Sequence, residues 1–175
     1  SQASNVISRI RALLTKNTAD RVELDINEMV QEATLVRSEA IRNHVSLRLD
    51  LSSDLPPVVG DRVQLQQVLF NLVMNAIEAV RTVTDRPKEL VIRSAKSADG
   101  VLIEVQDSGI GIDPEQADRI FEPFFTTKRQ GIGMGLSISR SIVESHGGRL
   151  WAVPRSYGAL FQFILPTTIS GDRVS

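Results

Sequence analysis

The chain has 175 residues, no cysteine, two histidines and a formal net charge of −1, which is room for one domain of ordinary size plus a short appendage. That balance excludes disulfide staples, thiolate metal sites and thiol nucleophiles, argues against a histidine-rich zinc site, and offers no global basic field for nucleic acid or anionic membrane. With 42% apolar and 23% charged residues, no apolar run near the roughly 18 residues that span a bilayer, and an N-terminus, SQASNVISR, without a signal-peptide core, the segment is expected to be soluble and to face the cytosol.

Val6, Ile7, Ile10, Leu13 and Leu14 recur at helical spacing between Arg9, Arg11 and Lys16. So short an amphipathic helix needs a partner, and it reads as the tail of a larger helical element. A polar break from Asn17 to Arg21 leads to the alternating strand Val22 to Ile26. Asp25 or Asn27 then caps a helix predicted from about Glu28 to Arg42, with Met29, Val30, Ala33, Leu35, Val36, Ala40 and Ile41 on its inner side. Val45 to Leu51 alternates strictly and is the clearest strand. Pro56-Pro57 ends it, and Val58-Val59 is a short extended piece before Gly60-Asp61 opens a long helix.

That helix, predicted over Asp61 to Thr82, places Leu65, Val68, Leu69, Leu72, Ala76, Ala79 and Val80 on one broad apolar face. Opposite it, Gln64, Gln67, Asn71, Asn75, Glu78 and Thr82 fall into a narrow stripe whose neighbours stack along the helix. The stripe is mostly amide. A merely solvated face usually carries Lys, Glu and Arg, whereas mid-helix Asn costs several tenths of a kcal/mol against Ala, so two Asn one turn apart suggest a ligand, with an ordinary exposed amide-rich face as the alternative.

Thr84 to Pro87 then makes a turn, Leu90 to Ile92 begins a strand, Ala98-Asp99-Gly100 turns a hairpin and Val101 to Val105 returns as its partner. The stretch from Asp107 to Met134, rich in Gly, Pro and polar residues, holds one short predicted helix near Pro114 to Ile120; so long a connection is usually functional or mobile. Gly135 to Ser145 reads as a helix stopped by His146-Gly147-Gly148, and two strands follow, Arg149 to Val153 and Ala159 to Leu165. Hairpins among irregularly alternating strands and helices imply an α+β domain, a mixed sheet covered on one face by helices.

Two glycine loops carry the remaining chemistry. Asp107-Ser-Gly109-Ile-Gly111 lies at a strand end, where glycines let backbone approach a flat or anionic ligand and the carboxylate accepts hydrogen bonds, although a glycine-rich turn after a strand, taken alone, is most often structural. Gly131-Ile-Gly133-Met-Gly135-Leu136 runs straight into a helix, behind Lys128 and Arg129, and free N–H groups at a helix N-terminus make an anion site. It is neither a P-loop, since no GK[ST] follows, nor a dinucleotide fingerprint, since no adjoining βαβ unit precedes it.

Taken in order, the amide stripe N-x-x-x-N-A, D-x-G-x-G, FEPFFTTK, GxGxGL and a helix ending in HGG resemble the catalytic ATP-binding domain of bacterial sensor histidine kinases, over about residues 22 to 166. The resemblance implies the two-layer Bergerat fold shared with gyrase B, MutL and the large heat-shock chaperones: a mixed sheet with three main helices on one face and ATP between helices and a mobile lid. It implies that Asn75 ligands Mg²⁺ and that Asn71 lies beside the phosphates; a hard cation wants oxygen and keeps several waters, so one amide plus phosphates is sufficient. Asp107 would accept from the adenine amine, with Gly109, Gly111 and Ile112 walling the base. The lid would span Phe121 to Gln130, bringing Thr126 and Thr127 near the nucleotide and Lys128 to the terminal phosphates, with Phe121, Phe124 and Phe125 as its anchors. Gly131, Gly133, Met134, Gly135 and Leu136 would offer backbone N–H groups and the start of the helix behind them. His146 would be a helix-end residue.

Three matched positions refine the expectation. Hydrolysing relatives have Glu where this chain has Asn71, and an amide cannot serve as a base, which favours phosphotransfer to a protein. Glu78 follows the nitrogen-regulation and oxygen-sensing branches, with N-A-x-E-A in place of N-A-x-K-Y, so a basic phosphate contact is missing there. Leu160 stands where the family often has Thr near the adenine. Neither His44, followed by Val45, nor His146, followed by Gly147, has the acidic neighbour of a phosphoacceptor. The chain is therefore expected to comprise the end of a phosphoacceptor and dimerisation hairpin over 1–17, a catalytic domain over 18–169 and a tail over 170–175. Its partners would be ATP, the helical hairpin domain of the same kinase and a downstream response regulator, with no nucleic acid and no membrane contact by this segment. It would be a monomer as a fragment and a dimer in the full-length kinase. The rival readings are a regulatory module or serine kinase of anti-sigma-factor type, and an ATPase of the wider superfamily.

Overall fold

The computed structural model of the chain describes residues 21–122, 135–155 and 157–167. The helix expected over 4 to 16, the tail over 170–175, and the site residues Thr126, Thr127, Lys128, Gly131, Gly133 and Met134, together with Phe124 and Phe125, lie outside the described residues, as does the Leu35 side chain. In chain order the described elements are β1 (Val22–Leu24), α1 (Ile26–Gln31), α2 (Thr34–Arg42), β2 (Ser46–Leu51), β3 (Val58–Gly60), α3 (Arg62–Val80), β4 (Glu89–Ser97) and β5 (Gly100–Asp107). After 3₁₀ turns at Pro114–Gln116 and Arg119–Phe121 come α4 (Gly135–Ser145), β6 (Arg149–Pro154) and β7 (Ala159–Leu165).

The main sheet has the order β2-β4-β5-β7-β6, with β2 parallel to β4 and every other pair antiparallel. The parallel pair exists because the chain leaves β2 and returns to β4 through β3 and α3, a crossover that lays the helix on the sheet. A separate antiparallel pair, β1 with β3, closes the N-terminal side. Period-two burial in β5 turns Val101, Ile103, Val105 and Asp107 toward the helices and leaves Leu102, Glu104 and Gln106 on the other face. The core is a two-layer one: Leu65, Val68, Leu69, Leu72, Ala76 and Val80 of α3, all buried, lie in one cluster with Ile92, Ile103, Val105, Phe161 and Phe163 of the sheet. Each large side chain taken fully out of water in this seam contributes about 1.5–3 kcal/mol.

Four details differ from the sequence expectation. Val73 and Ile77 are buried too, and so is Gln64, predicted in the polar stripe; α3 is in contact with both α2 and α4. The helix predicted from Glu28 to Arg42 is two helices, broken at Glu32 and Ala33 (ψ 74°). Neither residue is a helix breaker, so periodicity could not reveal the interruption. Asp25 is the N-cap, accepting from Glu28 N at 3.1 Å, while Asn27 bridges Ser52 O and Ser94 Oγ; Ile41, placed on the inner side by periodicity, is exposed. The short helix near Pro114 to Ile120 is the pair of 3₁₀ turns.

The end of α2 explains His44. Val45 N donates to Ala40 O and His44 N to Ile41 O, the Schellman pattern, which puts His44 at φ 58° where glycine is usual.

Candidate functional site

Asp107 ends β5 on the helix-facing side, paired in register with Ala159. Its Oδ1 accepts from Gly109 N at 2.8 Å and Ala159 N at 3.2 Å. Its Oδ2 is buried and has no hydrogen-bond partner among the described residues. Burial dominates the two backbone bonds and pushes the carboxyl up from 3.8 to about 6. A buried acceptor oxygen left over on an otherwise satisfied carboxylate is unusual, and it matches a ligand that brings an N–H donor.

The turns around Asp107 are built from glycines placed where a side chain would collide. At Gly109 a Cβ would fall 2.5 Å from Ala79 O, so the bare Cα lets the loop press on the α3 backbone and Ile110 N donate to Ala79 O at 3.2 Å. Gly158, with φ +72°, would put a Cβ 2.1 Å from Asp107 O, and its N–H donates to Gly109 O at 2.9 Å. The β7 entry and the Asp107 turn are thus zipped together. Gly111 sits beside Gly158 at φ +89°, Ile112 packs partly buried on the core edge, and Ile110 projects into solvent. Ser108 locks the loop to β4, accepting from Glu89 N at 2.9 Å and donating to Pro87 O at 2.7 Å. The register corrects one expectation: Leu160 pairs with Gln106 and turns to the outer sheet face, so the residue bordering the carboxylate is Ala159.

Across α3 the amide stripe divides. Gln67 Nε2 donates to Asn71 Oδ1 at 2.7 Å, and Asn71 Nδ2 donates to Gly135 O at 3.2 Å and Ser139 Oγ at 3.1 Å. Asn71 therefore ties α3 to the first turn of α4, with Gly135 exposed and Leu136 half-buried at that helix start. Asn75 follows one turn on, half-buried on the same face, and Glu78 pairs with Arg81 at 3.3 Å. Phe121 is buried, edge-on to Phe161 at 6.1 Å, with the Arg140 guanidinium 4.5 Å from its ring centre.

His146 is structural, as its place at the helix end implies. Its Nδ1 donates to Ile142 O at 2.8 Å and its Nε2 accepts from Asp61 N at 3.0 Å, tying the end of α4 to the N-cap of α3. Burial holds this imidazole below its ordinary value, so it is neutral at pH 7.

The structure thus gathers Asp107, Gly109, Gly111 and Ile112 at the end of β5, and Asn71, Asn75, Gly135 and Leu136 along the α3–α4 seam. It adds Ser108, Ser139, Gly158 and Ala159, which sequence reasoning passed over. Ser139 alone had a local signal, a small polar residue on the otherwise apolar inner side of α4.

A carboxylate with a spare buried oxygen, glycine turns pressed on an amide-bearing helix and a second helix starting beside those amides define a nucleotide-binding domain of the two-layer mixed-sheet class. Residues 60–169 match the family described as histidine kinase-, DNA gyrase B-, and HSP90-like ATPase. Sensor protein TdiS of Thauera aromatica is 40% identical over 169 residues, covering 94% of this chain and 31% of that protein. Sensor protein FixL of Bradyrhizobium diazoefficiens is 40% identical over 168 residues, covering 94% and 33%. Among solved structures, the nucleotide-free catalytic domain of histidine kinase ThkA superposes with a TM-score of 0.74 at 36% identity, over 84% of this chain and 95% of that one. ThkA in complex with the response regulator protein TrrA gives 0.72 at 31% identity, over 96% and 50%. The chain belongs to the histidine kinase-, DNA gyrase B- and HSP90-like ATPase family, and within it to the catalytic domains of sensor histidine kinases. It spans about a third of the length of these two sensor proteins. No helix among the described residues is long and apolar enough to cross a membrane.

Proposed function

We propose that the chain binds MgATP between the Asp107 turn and the α3–α4 seam and presents the γ-phosphate to a histidine on a helical hairpin domain of the same kinase. The observation that carries this reading is Asp107 Oδ2, a buried acceptor that an adenine amine would satisfy. Gly109 N and Ala159 N hold the other oxygen, so the carboxylate is oriented before the ligand arrives. Asn75 is the residue that would hold Mg²⁺, since a nucleotide-borne cation needs few protein oxygens. When bound, that ion supplies charge neutralisation at the phosphates. Asn71 would position the phosphate end by fixing the start of α4. With both ends of its amide committed, it offers no base for activating water, which favours transfer to a protein over hydrolysis. Lys128 and the glycines at 131 and 133 are assigned to the phosphates by their motif.

The proposed partners are the phosphoacceptor hairpin and, downstream, a response regulator. The ThkA complex with TrrA supports the second. This chain alone would be a cytoplasmic monomer, and a whole kinase that carries the hairpin domain a dimer. Calorimetric titration with a non-hydrolysable ATP analogue, with and without Mg²⁺, tests the reading against Asp107→Asn and Asn75→Asp. Micromolar to submillimolar binding that needs Asp107, and Mg²⁺ enhancement that changes in Asn75→Asp, are expected. A folded wild-type chain that binds no nucleotide would overturn it.

A further inference from the structure

Arg86 lies in the connection between α3 and β4, outside every motif that carries the family resemblance. Its Nη1 donates to two carbonyls at once, Ser108 O at 3.0 Å and Gly109 O at 2.9 Å. Its guanidinium also stands 4.6 Å from the centre of the Tyr157 ring, the distance of a cation–π contact. Asp85 accepts from its Nη2 at 3.2 Å, and only 27% of the Arg86 side chain is exposed. One planar side chain thus grips both turns that present N–H donors to Asp107. It holds the turn of Gly109 by its carbonyls and the turn before Ala159 by the adjoining aromatic ring.

We infer that Arg86 is a positioning residue for base recognition: by clamping the 108–109 and 157–159 turns together it fixes the rotation of the Asp107 carboxylate, and so sets selectivity for adenine over bases that carry a carbonyl in place of the exocyclic amine. The inference rests on the nucleotide reading above. Lys could supply the charge and donate to the two carbonyls from its one nitrogen, but it has no flat guanidinium face to lay against the ring and no second nitrogen for Asp85. Selectivity is the property at stake because a carboxylate aimed at a base accepts from an amine and repels a carbonyl oxygen. A carboxylate free to rotate can turn its oxygens away from either, losing the reward and the penalty together.

The test is the ratio of dissociation constants for ITP and ATP, measured by calorimetry with Mg²⁺ on the wild-type chain, Arg86→Ala, Arg86→Lys and Tyr157→Leu, with thermal midpoints recorded on the same samples. The wild type is expected to prefer ATP by at least about tenfold. Arg86→Ala should lower that preference at least about fivefold, with Arg86→Lys in between. Tyr157→Leu alters a 56% exposed ring, so it keeps the fold and serves if Arg86→Ala does not; it should lower the preference about twofold. An unchanged ATP preference in folded variants, whatever happens to stability or overall affinity, overturns the inference and leaves the nucleotide reading standing. A wild-type chain that binds neither nucleotide overturns both.

Discussion

Replacing Asp107 by Asn is expected to make the protein more stable and unable to recognise its ligand. The carboxyl is raised from 3.8 to about 6 by burial, so ionising it in the folded state costs about 3 kcal/mol relative to the unfolded chain. Because the folded value lies above the unfolded one, the stability that the protonated carboxyl contributes is complete below pH 4 and lost as pH rises through 6. Asn carries no charge and can still accept from Gly109 N and Ala159 N, but its amine replaces Oδ2 where no acceptor waits, at a cost of about 1 kcal/mol. The net gain at pH 7.5 is about 1–2 kcal/mol, or a midpoint about 3–6 °C higher for a domain of this size. Urea and thermal melts of both proteins from pH 4.5 to 8 should show an advantage that is largest above pH 6 and vanishes toward pH 4.5. Nucleotide affinity should fall about a hundredfold or more, since two amines would face each other. A variant less stable than the parent at pH 7.5, or an advantage independent of pH, would refute the reasoning that burial governs this group.

Wild-type affinity for an ATP analogue should decline as pH falls through 6, because the ionised carboxylate is the better acceptor; titrations at pH 5 and 7.5 check this. His146→Ala removes the acceptor for Asp61 N and should cost about 2–3 kcal/mol at pH 7.5 by urea melts. Since burial lowers the imidazole's value, its contribution weakens below pH 6.5, and the cost of the substitution should shrink by pH 5. Gly109→Ala forces a Cβ to 2.5 Å from Ala79 O and should destabilise by about 2–3 kcal/mol in denaturant melts while weakening nucleotide binding. His44→Gly relieves the φ of 58° at the end of α2 and should add about 0.5 kcal/mol, a rise of one or two degrees in the midpoint, without touching binding.

Much of this protein is legible without coordinates because its signals are local. The apolar arc of α3, the alternation of β5 and the start of α4 at Gly135 each follow from side chains a few positions apart, and so did the order of motifs that marks the family. Asp107 is marked by its place in the ordered motifs, and its Oδ2 is buried with no hydrogen-bond partner among the described residues. What the tertiary structure alone decided depends on residues far apart in the chain. The second donor to Asp107 comes from Ala159, 52 positions on, and a register shift of one would have offered Leu160 in its place. Asn71 meets Ser139 across 68 residues, and Gln64, polar by its place on the helix, is buried in the fold. Arg86 gains its two carbonyls and its aromatic ring only when the strands are paired. Local periodicity records which face of an element is wet, whereas strand register and helix contact are properties of pairs of elements that neither sequence segment specifies alone.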